Sequence, residues 1–241
     1  MKIVLPLLAS LCLASGAYAQ DEITFTSESY PPFSYVDKDG VNRGAGVEQI
    51  AAIMGGIAAY RMKIVPWARA IALAETTPMH CVFAAARTPE RKNRFKWVVP
   101  LFIDRNVLVA RSGSGLTVAT IEEAKTHVVG THREDYTEAI LRGLGFTRLD
   151  LSADFDITLH KLLEGRIELM PMSQGVFEKL RADGKPVEEI LVLATQPLGL
   201  ACNIDMPDEL IARMQASLDA IIADETQERI LISHGLPLSP P

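Results

Sequence analysis

Two arginines, Arg87 and Arg91, stand just after a short apolar segment, where their side chains could bind an anion. The segment, residues 81–86, is apolar throughout and shows no helical period, so it is predicted to be a buried strand. Thr88 and Pro89 then suit the N-cap and the first position of a helix. Free N–H groups at the start of a helix, beside two guanidinium groups, favour a carboxylate. The alternative is that both arginines are solvated or form surface salt bridges.

The chain before these arginines predicts the first part of an open parallel sheet. Strands and helices alternate there as β-α-β-α-β, over residues 23–27, 47–54, 62–65, 67–75 and 81–86. Such sheets bind ligands beyond the carboxyl ends of their strands. Four further side chains follow these strand ends and are candidate ligand contacts: Tyr30, Phe33, Trp67 and Arg69. Taken singly, the three aromatic side chains could instead be packed in the core or in loops.

The pattern restarts in the second half of the chain. After an extended crossing segment at residues 100–111, strands and helices alternate over about residues 112–190, which indicates a second α/β unit inserted into the first. Two short strands, residues 191–194 and 198–202, would return the chain to the first unit. A long amphipathic helix follows, with its cap near Asp205.

The N-terminus has the features of a signal peptide over residues 1–19. Lys2 precedes an apolar run, and Ala17-Tyr18-Ala19 fits a signal peptidase site, so export to the periplasm is expected. Its removal leaves 222 residues (241 minus 19) with a formal charge of −7 (23 basic minus 30 acidic side chains). This charge disfavours nucleic acid or an anionic membrane as a partner. No later apolar run is long enough to cross a bilayer, so no direct membrane insertion is expected.

Two cysteines, Cys81 and Cys202, remain after residues 1–19. In an oxidising compartment such a pair could form a disulfide, or both could be buried thiols acting as small apolar residues. The five histidines are scattered without metal-ligand spacing, so no metal site is predicted.

Several motifs, in their order and spacing, resemble a known family. The chain is similar to the family 3 periplasmic solute-binding proteins, the polar amino-acid-binding group of the ABC importers. The resemblance covers essentially the whole mature chain and is carried by Tyr30-Pro31-Pro32-Phe33, Gly44 to Gly46, Trp67-x-Arg69-Ala70, Arg87-Thr88-Pro89-Glu90-Arg91 and Gly165-Arg166-Ile167.

The resemblance implies an α/β, two-lobed periplasmic-binding-protein type II fold. Two mostly parallel sheets, flanked by helices, would be joined by a two-strand hinge, with the ligand in the cleft between the lobes. Lobe 1 would be discontinuous, comprising residues 20–108 and 196–241, and lobe 2 would comprise residues 109–195. Cys81 and Cys202 would lie on neighbouring strands of lobe 1, so the resemblance implies a disulfide between them.

The resemblance also implies roles for individual residues. Arg91 would take a ligand carboxylate, and Tyr30 would cover the ligand side chain. The second-lobe aspartate that holds an α-amino group in the family is replaced here by Ser173. Asp135 could substitute for it or could simply cap a helix. Three more arginines, Arg69, Arg87 and Arg133, add positive charge around the predicted cleft and favour a carboxylate-bearing ligand.

The expected function is therefore an exported binding protein for a small polar carboxylate-bearing solute, amino-acid-like or an organic acid. It would act as a monomer without a cofactor, delivering the solute to an inner-membrane ABC permease. An enzyme on the same scaffold, similar to the periplasmic cyclohexadienyl dehydratases, is the alternative, with Glu134, Asp135 and Glu168 as candidate acids or bases. A sensor or accessory protein without an importer is a third possibility.

Overall fold

A computed structural model describes residues 22–237, so the predicted signal peptide lies outside the described residues. Strands and helices alternate along this range. The strands are β1 Ile23–Ser27, β2 Tyr35–Val36, β3 Asn42–Arg43, β4 Tyr60–Ile64, β5 His80–Ala86, β6 Lys96–Arg111, β7 Val129–His132, β8 Leu149–Ser152, β9 Met170–Ser173 and β10 Val187–Cys202. The helices are α1 Ala45–Ile53, α2 Trp67–Thr76, α3 Ile121–Ala124, α4 Tyr136–Gly143, α5 Phe155–Leu163, α6 Gln174–Ala182, α7 Asp208–Ala223 and α8 Thr226–Ser233.

The main sheet has six strands in the order β4-β1-β5-β10-β6-β9. β1 pairs in parallel with β4 and β5, whereas β10 runs antiparallel to both β5 and β6. β6 and β10 are each 16 residues long and pair along most of their length. Because both strands continue without a break, they link β9 to β4, β1 and β5 in one sheet, whereas β7 and β8 form a separate two-stranded sheet.

Two α/β units share these long strands. The first unit comprises β1 to β5, α1, α2, α7 and α8, and the second comprises β7 to β9 and α3 to α6. In the second unit β7 pairs in parallel with β8, and a bridge from Val129 to Leu169 connects β7 to the chain just before β9. The lobe boundaries at residues 108/109 and 195/196 stay a prediction.

Two expectations from the sequence differ from the observed fold. The two short return strands expected at residues 191–194 and 198–202 are one continuous strand, β10, because the intervening Pro197 lies where the pairing with β6 continues. The helix expected after Thr88 is wrong. Residues 89–94 form turns, in which the N–H groups of Arg91 and Lys92 both bond to the Thr88 carbonyl.

The first unit contains a disulfide between Cys81 and Cys202, which confirms the pairing expected from the family resemblance. The two residues lie directly opposite each other on the antiparallel strands β5 and β10. Both are fully buried in the core. Within residues 22–237, no helix combines the length and the apolar character needed to cross a membrane.

Candidate functional site

A small cavity of about 30 Å³ lies where the two units meet. On the first-unit side it is bounded by the loop after β1 and by the start of α2, and on the second-unit side by the ends of β7 and β9 and the starts of α4 and α5. The cavity is lined by Ser27, Glu28, Tyr30, Phe33, Ser34, Trp67, Ala84, Asn106, His132, Asp135, Tyr136, Thr137, Phe155, Pro171, Ser173 and Leu198.

The loop after β1 is held against the start of α1. The first N–H groups of a helix have no partner inside the helix. Here the N–H groups of Ala45 and Gly46 donate to the carbonyls of Pro32 and Phe33, at 3.0 and 2.9 Å. Gly44 permits this close approach, because it has φ 117° and a Cβ there would lie 2.5 Å from the Phe33 oxygen. The aromatic side chains of the loop are therefore supported by a fixed backbone.

Aromatic rings from both units fill one side of the cavity. Tyr30 stacks on Phe33 with ring centres 5.8 Å apart, and it meets Phe155 of the second unit edge-on at 4.8 Å. The Tyr30 hydroxyl accepts a 2.9 Å hydrogen bond from the backbone N–H of Ser173. Tyr30 thus joins the two units by its ring and by its hydroxyl.

A charged cluster of Glu28, His132 and Asp135 lies beside these rings. Glu28 follows the last residue of β1, His132 ends β7, and Asp135 is the N-cap of α4. His132 Nε2 lies 3.3 Å from both Glu28 oxygens and 3.7 Å from Asp135 Oδ2. The His132 and Glu28 side chains are both buried.

Burial and charge oppose each other in this cluster. Burial raises the pKa of Glu28 above its usual value, although the hydrogen bond from His132 acts to lower it. Burial acts to lower the pKa of His132, but the Asp135 and Glu28 carboxylates outweigh it and raise this pKa to about 9. His132 therefore carries a positive charge at neutral pH, between two acidic side chains.

A second polar network lies around Asp104, in the middle of β6. The Tyr136 hydroxyl donates to Asp104 at 2.8 Å and accepts from Asn106 Nδ2 at 2.9 Å. Burial raises the pKa of Asp104 to about 6, although hydrogen bonds from Tyr136 and Ser173 lower it. Asn106 Oδ1 is buried and has no hydrogen-bond partner among the described residues.

Arg91 lies at the boundary between the units, next to the cavity. Its side chain is 6% exposed, and its guanidinium group lies 5.7 Å from the centre of the Trp67 ring. Arg91 Nη2 and Trp67 Nε1 both donate to the backbone carbonyl of Glu134, the Trp67 bond being 2.7 Å long. Arg91 Nη1 is buried and has no partner in the part of the chain that the structure describes. Burial lowers the pKa of Arg91.

The structure brings together only some of the residues that the sequence singled out. Tyr30, Phe33, Trp67, Asp135 and Ser173 line the cavity, and Arg91 lies beside it against Trp67.

The three other arginines, Arg69, Arg87 and Arg133, have exposed side chains and do not line the cavity. The ligand-binding roles expected for these three arginines stay predictions.

Four candidate functional residues were not predicted from the sequence: Glu28, His132, Asn106 and Tyr136. Glu28 could have been found, because it directly follows a strand end, the position that drew attention to Tyr30. His132 and Tyr136 lie near Asp135 at the end of β7, the first strand of the second unit. The rule that ligands bind beyond strand ends could therefore have identified them as well. Asn106 gave no such signal, since it lies inside the long strand β6. Glu168, an acid or base candidate, is bound to His127 away from the cavity, with 2.8 Å between Oε1 and Nδ1.

Solved structures define the class of fold. A histidine kinase sensor domain with similarity to periplasmic binding proteins shares 19% identity, with a TM-score of 0.83 over 92% of this chain and 99% of that chain. An ancestral arginine-binding protein bound to arginine shares 18%, with a TM-score of 0.81 over 90% and 99%. An ancestral amino acid-binding protein, a precursor of cyclohexadienyl dehydratase, shares 16%, with a TM-score of 0.79 over 88% and 95%. The chain therefore has the α/β periplasmic-binding-protein fold.

The sequence places the chain within one family of this fold. It belongs to the bacterial extracellular solute-binding proteins, family 3, whose family model matches residues 23–235. No curated protein matches the sequence. The family assignment confirms the resemblance read from the motifs.

Proposed function

We propose that this protein is an exported, periplasmic binding protein that captures a small amino-acid-like solute through its carboxylate. The solute would bind between the two units and pass to an inner-membrane ABC permease. The observation that carries this proposal is Arg91, a buried arginine at the boundary. Within residues 22–237, one of its guanidinium nitrogens has no partner and another is bonded only to a backbone carbonyl. A ligand carboxylate accepting two hydrogen bonds would satisfy both nitrogens.

For a solute to bind in the cavity between the two units, the units must first separate. A cavity of about 30 Å³ has room for about one water molecule and not for an amino acid. Opening would break the bonds of Arg91 and Trp67 to the Glu134 carbonyl and the bond from Ser173 to Tyr30. Arg91 would then be free to bind the incoming carboxylate, and closure would bury it, as in hinge-bending binding proteins.

The amino-acid-like part of the proposal rests on the acidic side chains of the site. Glu28 and Asp135 line the cavity and could accept hydrogen bonds from a ligand ammonium group. They would take the role of the family aspartate that Ser173 replaces. The ancestral arginine-binding protein, bound to arginine, has the same fold. A zwitterion or an amino acid with a basic side chain therefore suits the site at least as well as an organic acid, the other class of ligand expected from the sequence.

A ligand screen followed by arginine substitution tests this function. A thermal-shift screen of the L-amino acids, dicarboxylates and opines should find a compound that raises Tm, because a ligand selective for the folded state stabilises it. Arg91→Ala should then weaken binding by roughly 30-fold to 1,000-fold, corresponding to ~2–4 kcal/mol. Arg91→Lys keeps the charge but not the two-pronged geometry and should recover only part of the affinity.

Arg87→Ala is the matched control, since Arg87 is exposed at the other end of the same segment. Calorimetric titration should show little change for it. A loss below tenfold for Arg91→Ala, or a larger loss for Arg87→Ala, would contradict the assignment of the carboxylate to Arg91.

One observation favours an enzyme as the second candidate. Glu28 is a buried carboxyl group with a raised pKa, in contact with His132 and facing a cavity, which is the environment of a general acid or base. A precursor of cyclohexadienyl dehydratase has the same fold. Turnover of prephenate or arogenate by the purified protein, abolished in Glu28→Gln, would support this candidate. Tight binding of either compound without turnover would support the binding function.

A further inference from the structure

The Glu28, His132 and Asp135 side chains form a group with the composition of a metal site. We propose that they bind one divalent transition-metal ion of the zinc class, and that this ion bridges the two units. Zn²⁺ accepts one imidazole nitrogen and two carboxylates readily, and in sites of this kind it keeps a fourth position for water or a ligand. No sequence pattern predicts this site, because only one of its three residues is a histidine and Glu28 lies 104 residues from His132.

The distances between the donor atoms fit such an ion. Tetrahedral zinc with bonds of about 2.0 Å separates its ligand atoms by about 3.3 Å. His132 Nε2 lies 3.3 Å from each Glu28 oxygen and 3.7 Å from Asp135 Oδ2. One donor atom from each residue lies within 4.8 Å of the other two. Small side-chain adjustments would place all three around a single ion.

The surrounding residues already orient one of the proposed ligands. Asp135 Oδ1 accepts hydrogen bonds from the backbone N–H and the hydroxyl group of Thr137. This fixes the carboxylate and directs Oδ2 towards His132. Hydrogen bonds of this kind to the outer oxygen of a ligand are typical support for a metal site.

Charge also favours a divalent ion at this position. Glu28 is buried and Asp135 is half-buried, so two acidic side chains lie close together with little water around them. In the metal-bound state the two carboxylates would balance the two positive charges of the ion, and His132 would bind through an unprotonated Nε2, with any proton released to solvent. A metal ion would thus neutralise a group that the protein has placed away from water.

Asn106 adds an unpaired hydrogen-bond acceptor to the cavity that this cluster lines. It lines the same cavity, it is 1% exposed, and its Oδ1 has no hydrogen-bond partner among the described residues. An unpaired buried acceptor costs free energy. The cavity of about 30 Å³ has room for one water molecule, which could donate a hydrogen bond to this oxygen.

The test measures metal binding alone, without any solute, so it is independent of the proposed function. Untagged protein is freed of metal with a chelator and titrated with Co²⁺, whose visible absorption is strong in four-coordinate sites, and then with Zn²⁺ in competition. We expect one equivalent to bind, strong Co²⁺ bands that Zn²⁺ abolishes, and a rise in Tm. His132→Gln and Glu28→Gln should each weaken Zn²⁺ binding at least 100-fold.

His160→Gln is the matched control, because His160 is a 68% exposed histidine beside Glu164, at 3.3 Å. It should bind metal as the wild type does. Thermal unfolding of each variant checks that it is folded. Absence of stoichiometric binding to the wild type, or equal binding by wild type and His132→Gln, would overturn the site. Loss in His132→Gln but not in Glu28→Gln would overturn the bridge between the units.

Discussion

The two α/β units contribute to their boundary in different ways. The first unit reaches across with side chains, namely Tyr30, Trp67 and Arg91. The second unit accepts their polar groups with its backbone, through the Glu134 carbonyl and the Ser173 N–H, and meets the Tyr30 ring with the side chain of Phe155. The contact between Glu28 and His132 joins two side chains instead. Substituting a side chain of the first unit can therefore remove one of these hydrogen bonds at a time. A substitution at Glu134 or Ser173 leaves the backbone group in place and can only shift its position.

Local structure explains why the second unit presents its backbone here. Glu134 has φ 63° in the turn between β7 and α4, and Ser173 is the last residue of β9 before α6. Both residues lie between a strand and the helix that follows it. Backbone groups at the start of a helix have no partner inside the helix, so they can bond to the first unit.

The largest effect should come from the disulfide, which only the first unit has among the described residues. Converting both Cys81 and Cys202 to Ala should lower the free energy of unfolding by ~4–5 kcal/mol, because the bond closes a loop with a sequence separation of 121. Guanidinium unfolding with and without a reductant measures this. The reductant should have no effect on the double variant.

Hydrogen exchange sharpens the comparison between the units. In the double variant, amides of β5 should lose more protection than those of β7, because only β5 is tied to β10 by the bond. Equal loss in both strands would show that the two units unfold together, and that the disulfide does not stabilise the first unit selectively.

The second prediction concerns Asp104, where β6 passes from one unit to the other. The native pKa is about 6 against an ordinary value of 3.8, so the folded protein binds this proton more tightly than the unfolded chain does. Its contribution to stability is fully present below pH ~4 and is lost as the pH rises through ~6, by roughly 3 kcal/mol. Asp104→Asn is neutral throughout, and its amide oxygen can still accept from Tyr136.

The measurement is the free energy of unfolding of both proteins between pH 4 and 7. Taking the difference between them removes the titration of Glu28 and His132, which the two proteins share. We expect the variant to gain stability relative to the wild type as the pH rises. A constant difference would mean that Asp104 titrates normally.

The sequence predicted the fold better than the site, and particular residues show why. Strand ends, signalled by apolar segments such as residues 81–86, are local features, and the disulfide followed from a family resemblance. The orientation of a side chain after a strand end depends on the turn it belongs to. Arg91 is buried and Arg87 is exposed, although they are four residues apart, because residues 89–94 form turns and not the expected helix. The pairing of Glu28 with His132 depends on how the two units meet, which no local pattern encodes.

The third prediction tests the Tyr30 contact between the units. Tyr30→Phe keeps the ring against Phe33 and Phe155 but leaves the Ser173 N–H without its partner. We expect a loss of about 1–2 kcal/mol in the free energy of unfolding. Tyr35→Phe is the control, since Tyr35 lies in β2 outside the cavity lining and should change stability by less than about 0.5 kcal/mol. Similar losses in the two variants would mean that the hydroxyl of Tyr30 contributes nothing specific.

The smallest expected effect concerns the left-handed backbone conformation of Glu134, whose carbonyl faces the first unit. A non-glycine residue at φ 63° is strained, and glycine adopts this conformation freely. Glu134→Gly and Glu134→Ala both remove an exposed carboxylate and both keep the carbonyl that accepts from Trp67 and Arg91. The difference between the two variants therefore isolates the backbone. We expect the glycine variant to be more stable than the alanine variant by about 1 kcal/mol in chemical unfolding. If the alanine variant were instead the more stable, the left-handed turn would not be what directs this carbonyl towards the first unit.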